Sequence, residues 1–252
     1  MRLAIVGYGK MGKEVEAALL KRGHTVAVRV DEAGNADAKT LDEVTRNGAE
    51  VAIEFSAAAA VRPNAEIYAR MGMPAVVGTT GWESSRDEVR ALVASTGIGY
   101  VTGSNFSIGA HLFFALVHKA ASLIDHLPDY DIFGYEIHHA AKKDSPSGTA
   151  LTMAERILSA TDRKKRIQTE TVHRQIEPDE LHIASLRGGS FPGTHTVIID
   201  SLADTIEIRH IARTRGGLAL GAVMAAEWIV GKSGFFTVED FVSDLLRSEG
   251  KA

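Results

Sequence analysis

The 252-residue chain contains no cysteine. That absence excludes disulfides, thiolate zinc sites and thiol nucleophiles together, so any chemistry must run on histidine, lysine, carboxylates or a bound cofactor. Long apolar runs are missing as well: none approaches the roughly 18 residues a membrane span needs. The first strand-like run begins at Leu3, which leaves no room for the charged region and cleavage site of a secretory leader. A cytoplasmic protein with no membrane partner is the expectation. There is no long basic run and the formal net charge is -4, which removes the electrostatic reason to expect nucleic acid. What is present, 45% hydrophobic and 24% charged residues, is the balance of a globular chain with room for one large domain or two small ones.

Over the first 106 residues two periods alternate. The runs "LAIV" (3–6), "TVAVRV" (25–30), "VAIEF" (51–55), "PAVVG" (74–78) and "GYVTG" (99–103) read as five apolar strands. Between them lie helical patterns, the first placing Met11, Val15, Ala17, Ala18 and Leu19 on one face and the second carrying Pro63, expected to bend or split it. Strands separated by helices predict a parallel sheet wrapped on both faces. From about Asn105 the rhythm changes. A long apolar helix, "IGAHLFFALVHKAASLI", precedes the strand-like segments "YDIFGYEIHH", "LHIASLRGG", "HTVIIDS" and "TIEIRHIA", with the helix "GTALTMAERILSA" among them. In "TIEIRHI", Ile206, Ile208 and Ile211 against charged neighbours suggest a strand with one wet face. The tail, "LALGAVMAAEWIVG" and "TVEDFVSDLLRS", returns to helix. The reading is an α/β protein with one parallel-sheet domain at 1–106, a second α+β domain at 107–215, and helices in 216–252 that pack back on the first.

After the first strand comes "GYGKMG", with Gly7, Gly9 and Gly12 in G-x-G-x-x-G spacing. The first glycine allows the tight turn, the second lets backbone approach a pyrophosphate, and the third permits close helix packing, with the helix N-terminus facing the anion. Between a strand and a helix this is a strong sign of dinucleotide binding. Asp31 follows the second strand about 20 residues beyond, where an acidic side chain accepts hydrogen bonds from a ribose. Glu32 is next, and two carboxylates would repel a 2′-phosphate, so NADH is favoured over NADPH; Arg29 and Lys10 are the cations that could oppose this. "GTTG" (78–81) and "GSNF" (103–106) follow the fourth and fifth strands, at the edge where ligands of parallel sheets bind.

The stretch "EIHHAAKKDSPSGTA" (136–150) sets two histidines at the end of a strand, lysines in the following loop and a turn in which Ser147 or Thr149 caps a helix. Gly148 and Thr149 would offer free backbone N–H groups to a carboxylate. A histidine titrating near neutrality can donate a proton, and lysine can hold an anion or donate. By composition alone the same loop reads as solvated surface. Neighbouring histidines alternate sides of a strand and no zinc spacing is near, so no metal is expected. "RGG" (187–189), His195, His210, Arg213 and Arg215 add positive groups suited to an anionic substrate.

This stretch resembles the E-x-H-H-x-x-K-x-D-x-P-S-G-T-A signature of the dihydrodipicolinate (4-hydroxy-tetrahydrodipicolinate) reductase family. The likeness extends through "GYGKMG", "VVGTTG", "SNFSIG", "SLRGGSFPGTHTV" and "GAVMAAEWI". It implies a Rossmann-type domain joined to an α/β substrate domain, assembled as a homotetramer. It implies NADH- or NADPH-dependent reduction of the dehydrated form of 4-hydroxy-tetrahydrodipicolinate. With the nicotinamide on one domain and the substrate loop on the other, closure of the domains is expected. By the same resemblance His138 is the catalytic acid/base and Lys142 a second proton donor. His139, Gly148 and Thr149 contact the substrate dicarboxylate. Gly7, Tyr8, Gly9, Lys10, Met11, Gly12, Asp31, Gly78, Thr79, Thr80, Gly103, Ser104, Asn105 and Phe106 contact the cofactor. Departures from the family pattern stand at Lys10, Glu32, Ala140, Ala141 and Leu218, and bear on cofactor choice more than on reaction type. An aspartate-type dehydrogenase or a non-catalytic dinucleotide sensor would use the same glycine loop with other chemistry beyond it.

Overall fold

A computed structural model describes residues 1–42 and 46–248. The chain divides into two compact units, Met1–Ile108 with Arg215–Ala252, and Gly109–Thr214.

The first unit is built on a fully parallel sheet of β1 (Arg2–Val6), β2 (Thr25–Val30), β3 (Val51–Glu54), β4 (Ala75–Val77), β5 (Gly99–Thr102) and β11 (Gly234–Thr237), in the order β11-β5-β4-β3-β1-β2. The side-chain period of two divides its apolar residues between two cores. Ala4 and Val6 of β1, with Ala52 and Val77, face α2 (Ala58–Arg70) and α3 (Arg86–Thr96) through Val61, Ala65, Val89 and Val93. Leu3 and Ile5, with Ile53, Val76 and Val101, face α1 (Lys10–Lys21), α6 (Gly216–Ile229) and α7 (Val238–Ser248) through Val15, Leu19, Val223, Ile229 and Phe241. Three details differ from the sequence reading. Ala17 is exposed, because the inner stripe of α1 runs through Gly12, Val15 and Leu19. Pro63 does not divide α2: it lies on the solvent side, where water can take the carbonyl left without a donor. A sixth strand, β11, escaped notice because four residues entered through Gly234 at φ +124 carry no alternation.

The second unit holds α4 (Ile108–Ile124), β6 (Asp131–His138), α5 (Gly148–Leu158), β7 (Arg166–Gln168), β8 (Glu180–Arg187), β9 (Thr194–Asp200) and β10 (Thr205–Ile211). Its mixed sheet runs β10-β9-β6-β8-β7, with β9 antiparallel to both neighbours and β8 parallel to β6 and β7. One sheet face is covered by α4 and α5, whose Phe113, Val117, Met153 and Ile157 pack on Ile132, Ile183, Val197 and Ile199. β10 departs from the one-wet-face expectation. Ile208 packs on this core, whereas Ile206 is 51% and Ile211 46% exposed. As the edge strand it is covered on one side only, and the odd-numbered Ile211 points away from the covered face. No described helix is long and apolar enough to cross a membrane.

Candidate active site

The glycine loop is held by sterics on two sides. Gly7 sits at φ +87, and a Cβ there would overlap the Phe55 carbonyl; a Cβ on Gly12 would overlap the Gly7 carbonyl. Gly9 differs: a Cβ would meet nothing within 4 Å, so the space beside it is open to a ligand. Gly9 is the residue before α1, with no side-chain cap and no acidic residue in the first turn, so the helix N-terminus keeps free donors and an uncancelled positive end. Lys10 is exposed in that first turn, and Met11 is half-buried, packed with Tyr8 against the second core.

Asp31 caps the loop from below. Its carboxylate accepts the Tyr8 N–H at 2.7 Å and the Ala33 N–H at 2.9 Å. A cavity of about 350 Å³ opens here, lined by Gly7, Gly9, Asp31, Glu32, Lys39, Ser56 and Asn64 among others. The cations named from sequence do not enter it. Arg29 is held by Glu16 and Asp37 and lies 5.5 Å from the Tyr8 ring centroid. The cation on the cavity wall is Lys39, which sequence reasoning missed because it belongs to no motif. A bridge between Val30 and Ala38, with Asp31 N–H donating to Ala38, folds its loop back beside β2.

The later turns lie at the carboxyl ends of β4 and β5. Gly78 leaves room for the Phe55 ring, which a Cβ would displace. Thr79 Oγ1 accepts the Ser56 N–H at 2.8 Å, and its carbonyl accepts Trp82 Nε1 at 2.8 Å. Thr79, Thr80, Gly103 and Ser104 line a second recess of about 220 Å³ with Trp82 and Arg86. Asn105 turns inward, accepting the Ser107 N–H. The Phe106 side chain is buried in the core against α6, so only its backbone could serve a ligand.

In the second unit, Glu136 and His138 lie on the same side of β6, two residues apart. Glu136 is 0% exposed. Its Oε1 accepts the Ser147 N–H at 2.9 Å, Ser185 Oγ at 2.9 Å and Arg187 Nη2 at 2.7 Å, and its Oε2 accepts Ser147 Oγ. Burial alone would raise this carboxyl, but His195, Ser147 and Arg187 outweigh it and hold it well below the usual range. His138 is 13% exposed in its side chain; its Nε2 lies 3.2 Å from Glu136 Oε2 without making a hydrogen bond. Burial lowers the imidazole pKa, Glu136 opposes this, and His195, Lys142 and Arg187 add to the lowering. A Cβ on Gly193 would come within 2.8 Å of the His138 ring, so that position admits only glycine without displacing the imidazole.

The following loop ends at Ser147, which caps α5 by accepting the Ala150 N–H at 3.1 Å; of the two capping residues considered, Thr149 is therefore excluded. The N–H groups of Gly148 and Thr149 meet no hydrogen-bond partner among the described residues. Lys142 pairs with Asp144 at 2.8 Å, while His139, past the strand, is exposed. From 50 residues and more along the chain β9 and β10 bring His195 and His210. The His195 ring is 5.3 Å from that of His138, and the His210 ring 6.4 Å from His195. Sequence reasoning named these two and Arg187 only as positive groups of unknown place, and singled out Glu136 not at all. Its one signal was an acid two residues before a histidine in a strand.

Glu136, His138 and His195 bring ligand atoms within 4.8 Å of one another, a spacing a metal could use. The donor set argues against it, since Arg187 already occupies the same carboxylate at 2.7 Å and a divalent ion would face that guanidinium and Lys142. The arrangement is that of a saturated carboxylate supporting an imidazole.

Two family models cover nearly the whole chain: "Dihydrodipicolinate reductase, N-terminus" over residues 1–106 and "Dihydrodipicolinate reductase, C-terminus" over residues 109–242. The chain belongs to the dihydrodipicolinate reductase family. It is 38% identical to the 4-hydroxy-tetrahydrodipicolinate reductase of Christiangramia forsetii, over 98% of this chain and 100% of the relative. To the enzyme of that name from Archaeoglobus fulgidus it is 36% identical, over 96% and 100%. Among solved structures it is similar in fold to a dipicolinate-bound dihydrodipicolinate reductase from Paenisporosarcina sp. TG-14, at TM-score 0.71 and 20% identity over 95% of this chain and 98% of that one. Membership of this family makes the chain an oxidoreductase of lysine and diaminopimelate biosynthesis.

Proposed function

We propose that the chain reduces the dehydrated form of 4-hydroxy-tetrahydrodipicolinate to tetrahydrodipicolinate with a nicotinamide dinucleotide. The observation that carries this reading is the pairing, in one unit, of a half-buried imidazole, whose Nε2 makes no hydrogen bond, with free N–H groups at the N-terminus of α5. A proton donor beside a carboxylate cradle suits reduction of an anionic cyclic imine.

The dinucleotide, when bound, supplies the hydride. Gly9 and the N-terminus of α1 hold its pyrophosphate, and Asp31 takes the ribose hydroxyls. Thr79, Thr80, Gly103 and Ser104 receive its other end. Asp31 and Glu32 favour NADH, and Lys39 is the cation that moderates this preference. In the second unit Gly148, Thr149 and His139 hold the substrate carboxylates, His138 gives its proton, and Lys142, released from Asp144 by the substrate's charge, is the second donor. The sheet face opposite α4 and α5 carries Phe133, Tyr135 and Ile137 half-buried and Leu186 and Ile211 exposed. This apolar face supports homotetramer assembly through the sheet, and we place the enzyme in the cytoplasm, beside its dinucleotide pool.

The test couples a dihydrodipicolinate synthase to the purified chain and follows nicotinamide absorbance, with NADH and NADPH in parallel. Oxidation dependent on the synthase product, faster with NADH, is expected; none with either dinucleotide overturns the reading. His138→Gln should keep dinucleotide binding while kcat falls about 10²- to 10⁴-fold. Gly9→Val should abolish dinucleotide binding with Tm little changed, since its side chain enters open space. Lys39→Ala should widen the preference for NADH over NADPH.

A further inference from the structure

We infer that Glu136 is a positioning residue that aligns the proton donor and the anion cradle through one buried carboxylate. The inference rests on the reading of His138 as the donor. Glu136 Oε2 stands 3.2 Å from His138 Nε2, and both Glu136 oxygens bind Ser147, through its N–H and its hydroxyl, at the cap of α5. The carboxylate therefore joins the end of β6 to the first turn of the helix whose Gly148 and Thr149 N–H groups are free. At 3.2 Å the two atoms are at ion-pair distance for a protonated imidazole, and the approach makes no hydrogen bond. His138 Nε2 is thereby held out of solvent with no hydrogen bond of its own.

The surroundings of Glu136 are complete on every side. From β8 come Ser185 and Arg187, the latter also donating to the Asp144 carbonyl at 2.6 Å. From β9 comes His195, with Nε2 3.4 Å from Glu136 Oε2 and 3.2 Å from Ser147 Oγ. Since Ser147 Oγ donates to Glu136, it is the acceptor in its contact with His195 Nε2. His210 stands behind it on β10. The charged and titratable groups acting on His138 are thus Glu136, His195, Lys142 and Arg187, and Glu136 alone favours its protonated form. Removing that charge leaves three groups that disfavour the imidazolium.

The experiment follows the His138 Cε1–H resonance through a pH titration of the full chain without substrate, alongside steady-state kinetics. In Glu136→Gln the His138 midpoint should fall, kcat should drop at least about tenfold, and the dinucleotide KM should not move. Glu136→Asp should restore the midpoint, because charge returns, but only part of kcat, because the shorter side chain cannot span β6 and Ser147 together. An unchanged midpoint and unchanged kcat in Glu136→Gln would overturn the proposal. Should that variant not fold, Arg187→Gln tests the same array from the opposite side: the His138 midpoint should rise, and no movement would equally refute the idea. A wild-type protein without turnover, but with the Glu136-dependent midpoint intact, would sink the reductase reading and leave the electrostatic pairing standing.

Discussion

Glu54 and Glu136 are two carboxyls at 0% exposure, one in each unit, and their surroundings push them in opposite directions. Glu54 ends β3 and accepts from Ser56 Oγ, from Asn64 Nδ2 at 2.9 Å and from Tyr68 Oη at 2.7 Å. All three donors are neutral, so burial prevails and the pKa rises. The same burial lifts the Tyr68 and Tyr100 hydroxyls, with Glu54 adding to both. Glu136 meets a guanidinium, a helix-cap N–H and a histidine, and its pKa falls despite the burial. Equal burial with neutral or charged donors thus yields an acid that resists ionisation or one that resists protonation. In the first unit the neutral tendency suits the proposed dinucleotide site, because Ser56 and Asn64 also line that cavity. In the second the fixed charge suits the proton-donor role proposed for His138.

Three measurements sharpen this contrast. The largest effect should come from Glu136→Ala, which leaves Arg187 without its counter-charge and the Ser147 N–H without its acceptor. A loss of about 3–5 kcal/mol in urea unfolding is expected, and a loss below about 1 kcal/mol would mean water replaces the carboxylate. Next comes the pH dependence of stability, whose sign should differ between the two sites. The Glu136 contribution, with its folded pKa depressed, is present above the ordinary value of 4.5 and lost as pH falls below it. The Glu54 contribution, with its folded pKa raised, is greatest below 4.5 and lost as pH climbs through the folded value. Comparing each Glu→Gln variant with wild type across pH 3 to 8, on the order of the range where carboxyls titrate, should therefore give opposite slopes; parallel slopes would end the comparison. The smallest effect should be Glu54→Gln near pH 5, within about 1 kcal/mol, because a neutral amide can keep the Asn64 bond and the Tyr68 hydroxyl can turn to accept.

Much of the scaffold was legible from local pattern. The apolar helix Ile108–Ile124 was read end to end, and β6, β8, β9 and β10 lie within a residue or two of the runs that suggested them. Long periodic segments and continuous apolar runs carry their own evidence, whereas β7 (RIQ) and β11 (GFFT) offer neither. In the crevice the glycine spacing announced itself, and Asp31 followed from distance along the chain. Lys39 did not, because a loop hydrogen-bonded to Arg29 and Asp31 places it, and no local rule encodes that return. The Glu136 array was less legible still. His138 and Lys142 came through the family resemblance, yet the partners that fix the histidine's surroundings, Ser185, Arg187 and His195, arrive on β8 and β9.

By itself the sequence determined the parallel and mixed sheets, the glycine turn with its acid, and the loop in which a histidine, a lysine and a capped helix start sit together. These are properties of neighbouring residues, of steric freedom at Gly7 and of side-chain periods of two and 3.6. Only the tertiary structure decided which buried carboxyl is pushed toward charge, which cation lines the cavity beside the glycine loop and which nitrogens around Glu136 lack a hydrogen bond. Ionisation depends on desolvation and on donors within a few ångströms, and those are supplied by strands and loops distant in sequence.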